Sequence, residues 1–234
     1  MAVQDYFNLT GKTAVVTGGS GLLGKQWLDV LREAGAEALN FDIKDGHDIT
    51  DEKQVMDFAE AFDVDILINN ACNNPQPQWL GNGWTLENWE YDLKVGLTGA
   101  AICVEHFGQK MQELGGGVIL NIGSDLSVIA PDQRLYVSGE KPVSYSVVKH
   151  GIVGLTKWAA ATLAEDNIRV NCLSLGGVFN GQDSFFIEKL INLIPMGRMA
   201  KVDEYKAALL FMVSDASSYM TGANVVIDGG RSIW

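Results

Sequence analysis

Residues 13–24 have the sequence TAVVTGGSGLLG, and this stretch decides the fold. Thr13–Thr17 is apolar and β-branched, which predicts a strand buried on both faces, and Leu22–Glu33 is predicted to form a helix. Glycines at such a turn let the backbone approach a pyrophosphate closely, and the helix N-terminus offers free amide N–H groups. A glycine-rich turn can also be merely a tight connection. Its place directly after the first strand favours a dinucleotide site.

The alternation of short apolar runs with longer helical stretches continues to residue 227. Further strands are predicted at 37–42, 64–69, 117–122, 169–174 and 224–227. Helices are predicted at 52–61, 87–111 and 144–164, with helical turns at 183–192 and 203–214. This order predicts an α/β fold, a Rossmann-like doubly wound parallel sheet with helices on both faces. No linker or low-complexity segment interrupts it, so we predict one domain over residues 1–234.

Composition excludes several classes of function. The formal net charge of −12 disfavours a nucleic-acid partner. No apolar run reaches the roughly 18 residues of a membrane span, and no basic segment precedes an apolar stretch as in a secretory signal. The three cysteines and three histidines lack metal-ligand spacing. We therefore expect a cytoplasmic protein with no metal, no membrane association and a small-molecule substrate.

Acidic and amide residues follow successive predicted strands. Asp42 ends the second strand, where a carboxylate can accept hydrogen bonds from an adenosine ribose diol and repel a 2′-phosphate. This favours NAD over NADP, although Lys44 could partly offset the charge. Asp48 and Asn70 lie at the same sheet edge, where open α/β sheets bind ligands. Singly, Asp42 also fits a solvated strand end, Asp48 a helix cap and Asn70 a turn.

The candidate chemistry lies at Tyr145 and Lys149, whose spacing places both side chains on one helix face. A phenol has a reference pKa of about 10, and a neighbouring ammonium favours the phenolate. Tyr145 is thus predicted to exchange a proton with an alcohol or carbonyl as hydride moves. Ser124, after the fourth strand, is predicted to hold the substrate oxygen. The alternatives are a surface pair and a turn serine.

In these motifs the sequence resembles the short-chain dehydrogenase/reductase family along almost its whole length. Segments 169–171 and 226–230 also match it. The resemblance implies a sheet of about seven strands, a homotetramer or homodimer, and hydride transfer to or from NAD(P). It also implies that Ser124, Tyr145 and Lys149 are catalytic. The implied cofactor-binding residues are Gly18, Ser20, Gly21, Leu22, Leu23, Asp42, Asp48, Ile49, Asn70, Ala71, Tyr145, Lys149, Gly176 and Val178.

Within that family, segments 130–136, 176–182, 195–200 and 214–222 resemble oxidoreductases associated with flagellin modification and nonulosonic acids. This similarity predicts a sugar or activated-sugar substrate and a role in carbohydrate biosynthesis.

The sequence departs from the family pattern at several positions. Gly96 stands where the family usually has an asparagine that holds a proton-relay water, and Cys72 stands where glycine is common. Ser124 and Tyr145 are twenty-one residues apart, wider than is usual, and the extra residues include Arg134. We hypothesise that Arg134 contacts an anionic or hydroxyl-rich substrate; the alternative is a solvated loop arginine. Trp79 and Trp84 are further candidates for the mouth of the site, or else pack on the core.

Two other functions stay open. Gly96 also fits a dinucleotide-binding protein with weak or no catalysis. The glycine spacing fits a nucleotide-sugar epimerase or dehydratase, although the chain is short for that branch.

Overall fold

The computed structural model describes residues 2–76, 85–137 and 139–234. Its centre is a parallel sheet whose described strands have the order β2-β1-β3-β4-β5-β6. All five pairings between neighbouring strands are parallel. The strands are β1 Thr13–Thr17, β2 Glu37–Phe41, β3 Ile66–Asn69, β4 Gly117–Ser124, β5 Ile168–Leu175 and β6 Asn224–Ile227.

The helices connect the strands and cover both faces of the sheet. They are α1 Leu22–Glu33, α2 Glu52–Ala61, α3 Leu86–Leu93, α4 Gly99–Leu114, α5 Val143–Leu163, α6 Ser184–Ile191 and α7 Lys206–Val213. A π-helical segment, Lys94–Thr98, joins α3 to α4. No helix among the described residues is both long and apolar enough to cross a membrane.

Alternating side chains of the strands supply two separate cores. Val16 of β1 faces α1 and α7, in the cluster that contains Leu31 and Leu209. Its neighbour Val15 faces α2, α4 and α5, in the cluster that contains Phe107. Because the strands are buried on both faces, their sequences are apolar runs without alternation.

The direction in which strands are added changes between β1 and β3. β2 lies on one side of β1, and the chain then returns to place β3 on the other side. In open α/β sheets a crevice forms at such a switch point, outside the carboxyl ends of the strands. Thr17, Asn69, Ser124 and Leu175, the last residues of β1, β3, β4 and β5, all lie at this edge.

The α/β fold class is confirmed, but the number of strands differs from the expectation. Six strands are present among the described residues, where the family resemblance implied about seven. A further parallel strand between β2 and α2 would need a crossover of a dozen or more residues. Only residues 42–51 separate these two elements, so the segment has no room for it. The helix predicted over 87–111 is also interrupted by the π-helical segment.

Candidate active site

The glycine turn between β1 and α1 is shaped for close backbone approach. Gly18 has a φ of +65°, and a Cβ built there would lie 2.9 Å from the Cα of Ala71. A Cβ at Gly24 would lie 2.2 Å from the carbonyl oxygen of Gly18. Gly21 caps α1 without a side-chain hydrogen bond, whereas Asp51 and Asp183 cap α2 and α6 with theirs. The first N–H groups of α1 therefore have no side-chain acceptor at this cap.

Two polar side chains fix the turn to β3. The Thr17 hydroxyl accepts the N–H groups of Asn70 and Ala71, at 3.0 and 3.1 Å. The Asn70 amide donates to the carbonyl oxygens of Thr17 and Gly18 and accepts from the Trp27 indole. Both donors of the Asn70 side-chain amide are occupied by these bonds, so this side chain could offer a cofactor only its oxygen.

A cavity of about 510 Å³ opens beside this turn. The predicted cofactor residues that line it are Gly18, Gly21, Leu22, Leu23, Asp42, Asp48, Ile49, Asn70 and Ala71. The other predicted cofactor residues lie outside this lining: Ser20, Tyr145, Lys149, Gly176 and Val178. Gly176 instead lines a smaller cavity of about 150 Å³ near Tyr205, and Val178 pairs with Ala200.

The carboxylate of Asp42 is buried at the end of β2. It accepts the backbone N–H groups of Ser20 and Lys44, each at 2.9 Å. A second carboxylate, Asp45, lies beside it and accepts the Asn40 amide at 2.5 Å and the Ser20 hydroxyl at 3.5 Å. Sequence reasoning missed Asp45, because its position depends on the helical turn Ile43–Asp45.

The donors and acceptors around this cavity fit a nicotinamide dinucleotide. The α1 N-terminus and the glycine turn suit a pyrophosphate, and carboxylate oxygens, each with two lone pairs, retain capacity for a ribose diol. Asp48 is less free, because it accepts the N–H of Thr50 in a local turn.

Tyr145, Lys149 and Ser124 come together where α5 crosses the carboxyl end of β4. The Lys149 ammonium is 5.7 Å from the centroid of the Tyr145 ring and donates to the carbonyl oxygen of Ile122 at 2.8 Å. Ser124 lies close enough to Tyr145 to act on the pKa of its phenol. The three residues predicted to be catalytic are thus neighbours.

Burial opposes the effect of the lysine on the phenol. Burial raises the pKa of Tyr145, while Lys149 and the nearby Ser124 act to lower it. The expected direction of the Lys149 effect is present, but desolvation outweighs it. Burial also acts to lower the pKa of Lys149, yet the neighbouring Cys72 and Tyr145 raise it above its usual value. Lys149 is therefore a permanent cation near neutral pH.

Ser124 is hydrogen-bonded to a buried ion pair. The Ser124 hydroxyl donates to Asp125 at 3.0 Å and accepts the N–H of Leu126 at 3.1 Å. The other carboxylate oxygen of Asp125 accepts from Arg231 at 2.6 Å, and both side chains of this pair are almost fully buried. The C-terminal segment is thereby tied to the site, a link that sequence reasoning missed because 106 residues separate the partners.

Two of the departures from the family pattern lie next to each other. A Cβ at Gly96 would lie 2.6 Å from a methyl carbon of Val148 and 3.3 Å from the Cys72 sulfur. The space that an asparagine side chain needs is therefore taken by Val148 and Cys72. Cys72 also interacts with the Lys149 ammonium.

The hypothesis for Arg134 does not match its position. Its guanidinium makes three hydrogen bonds to the Asp132 carboxylate and its side chain is 84% exposed. This pairing lowers the pKa of Asp132 to about 2. A different cation, Lys141, lies 4.0 Å from the centroid of the Tyr145 ring. Trp79 and Trp84 lie outside the described residues.

Comparisons with known proteins find relatives along the whole chain. Residues 5–232 match the family model described as enoyl-(acyl carrier protein) reductase. An NAD-dependent glycerol dehydrogenase of Listeria innocua is 34% identical, over 97% of this chain and 96% of its own. A short chain dehydrogenase from Leptospira borgpetersenii, solved with bound NAD+, is 30% identical with a TM-score of 0.89, covering 99% of this chain and 96% of that one. A gluconate 5-dehydrogenase from Burkholderia cenocepacia, in complex with NADP and tartrate, is 25% identical with a TM-score of 0.89 and full coverage of both chains.

Proposed function

The chain belongs to the short-chain dehydrogenase/reductase family, and we propose that it interconverts an alcohol and a carbonyl on a sugar-derived compound, with NAD as cofactor and Tyr145 as acid–base group. That it is an NAD(P)-dependent oxidoreductase follows from the family and from relatives named as dehydrogenases. The observation that carries the finer proposal is the cluster of Tyr145, Lys149 and Ser124 beside the crevice.

The residues of this cluster divide the chemistry among them. A bound nicotinamide supplies the hydride acceptor or donor. In the oxidative direction, the Tyr145 phenolate takes the hydroxyl proton as hydride leaves the adjoining carbon. In the reductive direction the phenol returns that proton to the carbonyl oxygen. Lys149 stabilises the phenolate by its charge, and Ser124 lies beside the phenol, where its hydroxyl orients the substrate oxygen.

The preference for NAD rests on charge. Asp42 and Asp45 place two carboxylates around Ser20, at the edge of the cavity beside the glycine turn. A 2′-phosphate there would face like charges, and only the exposed Lys44 offers a counter-charge on this segment. Solved relatives were determined with NAD+ in one case and NADP in another, so the distinction depends on this chain's own residues.

Polar side chains support a hydroxyl-rich substrate. Asn74, Asn180 and Gln182 line a second cavity that meets the first at Asn74. The relatives named for glycerol and gluconate act on polyhydroxy compounds by name. The similarity to nonulosonic-acid-associated oxidoreductases points to the same class. A homodimer or homotetramer and a cytoplasmic location remain predictions.

The proposal is tested by following reduced nicotinamide formation with glycerol, D-glucitol and D-gluconate, using NAD and NADP in parallel. We expect turnover of at least one compound and a higher kcat/KM for NAD than for NADP. No reduction of either cofactor across such a panel, enlarged with nucleotide sugars, would contradict an alcohol-oxidising role.

One observation favours a second function, a dinucleotide-binding protein with little catalysis. The position of the family asparagine is Gly96, and Val148 and Cys72 take the space of its side chain. Calorimetry would support this alternative if NAD bound tightly while the same panel gave no product.

A further inference from the structure

A second cavity of about 550 Å³ lies on the far side of Asn74 from the glycine turn. Residues 74–76, residues 135–137, Lys141 and the start of α6 surround it. Among its described lining residues, Lys141 is the one cation and Asp183 the one anion. Asp183 uses a carboxylate oxygen to cap α6, accepting the N–H groups of Phe185 and Phe186.

The Lys141 ammonium projects into this cavity next to the Tyr145 ring. It lies 4.0 Å from the ring centroid and donates one hydrogen bond, to the Asn74 side-chain oxygen at 2.5 Å. An ammonium has three N–H donors, so two are left. No carboxylate lies within 4.0 Å of it among the described residues. Residues 77–84, Met1 and Ser138 include no Asp or Glu, so these parts of the chain supply no counter-ion either.

Asp92 and Asp125 attract the Lys141 ammonium, but neither carboxylate lies within 4.0 Å of it. Asp92 accepts from Asn73 and Ser144, and Asp125 is paired with Arg231. Cys72 attracts the ammonium, whereas Lys149 repels it. Burial lowers the pKa of Lys141 to about 8, so it is mostly protonated at pH 7. An unpaired cation in this setting carries a desolvation cost that a bound anion would offset.

We propose that Lys141 anchors an anionic group, a carboxylate or a phosphate, on the substrate whose hydroxyl or carbonyl reacts at Tyr145. The inference rests on the proposed function and adds the charge of the substrate to it. The same cavity offers amide groups for the hydroxyls of a sugar chain, and the Tyr145 ring lies against the Lys141 ammonium. Lys141 is therefore a specificity residue, and it takes the role that Arg134 was predicted to have.

The test compares binding of three probes to the NAD-loaded protein by calorimetry. D-Gluconate and D-glucitol differ in a terminal carboxylate, and D-glucitol 6-phosphate carries a phosphate. The variants are Lys141→Met, which removes the charge, Lys141→Gln, which keeps a donor for Asn74, and Lys141→Arg, which keeps the charge. Arg134→Met is the matched control, because it removes an exposed cation from the same loop.

We expect the wild-type protein to bind gluconate or the phosphate at least about 10-fold more tightly than glucitol, the value for one charge-assisted hydrogen bond. The anion that binds more tightly indicates whether the anionic group of the substrate is a carboxylate or a phosphate. Lys141→Met and Lys141→Gln should remove this preference and leave glucitol binding within about twofold. Arg134→Met should keep the preference. The proposal is overturned if neither anion is preferred by the wild type, or if Arg134→Met loses the preference as fully as the Lys141 variants.

A variant of the proton-transfer residue separates this inference from the proposed function. Tyr145→Phe should bind the preferred anion like the wild type even though turnover is lost. If the wild-type protein preferred the anion but turned over no compound, the proposed function would be contradicted and the binding role of Lys141 would be retained. If the wild-type protein turned over neutral polyols without preferring an anion, the binding role of Lys141 would be contradicted and the proposed function would be retained.

The pH dependence adds a second signature. Because the pKa of Lys141 is about 8, the anion preference should be complete at pH 6.5 and decline between about pH 7 and 9. Lys141→Arg should keep its preference across that range, since a guanidinium stays charged. A wild-type preference that does not change up to pH 10 would contradict the assignment to Lys141.

Discussion

At the scale of single residues, the tasks proposed for Asp42 and Tyr145 differ but depend on the same physical means, the placement of charge. The Asp42 carboxylate stays at the cofactor cavity because two backbone N–H groups hold it there. The Tyr145 phenol is buried, which disfavours its ionised form, and Lys149 supplies the opposing charge. Both residue types were predictable from their positions after strands or within a helix. Asp45 and Lys141 were not, because each becomes significant only through neighbours that are distant or irregular in the chain.

The first residue-scale prediction concerns cofactor choice. Replacing Asp42 and Asp45 together by Ser should raise the ratio of kcat/KM for NADP to that for NAD by about 10-fold or more, because like charges facing a phosphate cost several kcal/mol. The measurement is the pair of kcat/KM values with each cofactor. Asp203→Ser, a change at an exposed acid away from the cavity, should leave the ratio unchanged. An unaltered ratio in the double variant would show that these carboxylates do not select the cofactor.

At the scale of elements, helix and strand periodicity in the sequence predicted most of the observed segments. The exception is the run 87–111, predicted as one helix, where a π-helical segment carries Gly96 against α5. Periodicity gives no sign of this change, because it reflects packing between Gly96 and Val148 rather than a local preference. The strand number also differed, since the short segment 42–51 has no room for a crossover.

The close contact of these elements predicts a coupled stability effect. Gly96→Asn should lower the free energy of unfolding by about 1–3 kcal/mol, because its Cβ would meet Val148 at 2.6 Å. Val148→Ala should relieve the clash, so the double variant should be more stable than the sum of the single effects predicts. Urea unfolding of the four proteins measures this coupling. Strictly additive changes would mean that the two side chains do not compete for the same space.

At the scale of the whole molecule, the parallel sheet brings motifs from the whole chain to one edge. The sequence order of glycine turn, Asp42, Asn70, Ser124 and Tyr145 was sufficient to predict this gathering, since parallel strands share their carboxyl ends. It was insufficient for the cavity next to Tyr145, which depends on loops and on α6. The Asp125–Arg231 pair likewise depends on where the chain ends in space.

That pair predicts how the C-terminal segment contributes to stability. Arg231→Met should lower the free energy of unfolding by about 3–5 kcal/mol, because it leaves the buried Asp125 without a counter-charge. Adding Asp125→Asn should recover part of the loss by removing the uncompensated charge. Urea unfolding curves provide the comparison. A loss below about 1 kcal/mol for Arg231→Met would indicate that the pair is exposed to solvent.

The central claim is that Tyr145 transfers the proton while hydride moves to or from the nicotinamide. The most direct measurement is single-turnover formation of reduced nicotinamide by the wild-type protein and by Tyr145→Phe, with cofactor affinity measured in parallel. The account predicts a rate lower by about 10²–10⁴-fold in the variant, with NAD affinity within about twofold of the wild type. A variant that forms reduced nicotinamide at the wild-type rate would contradict it.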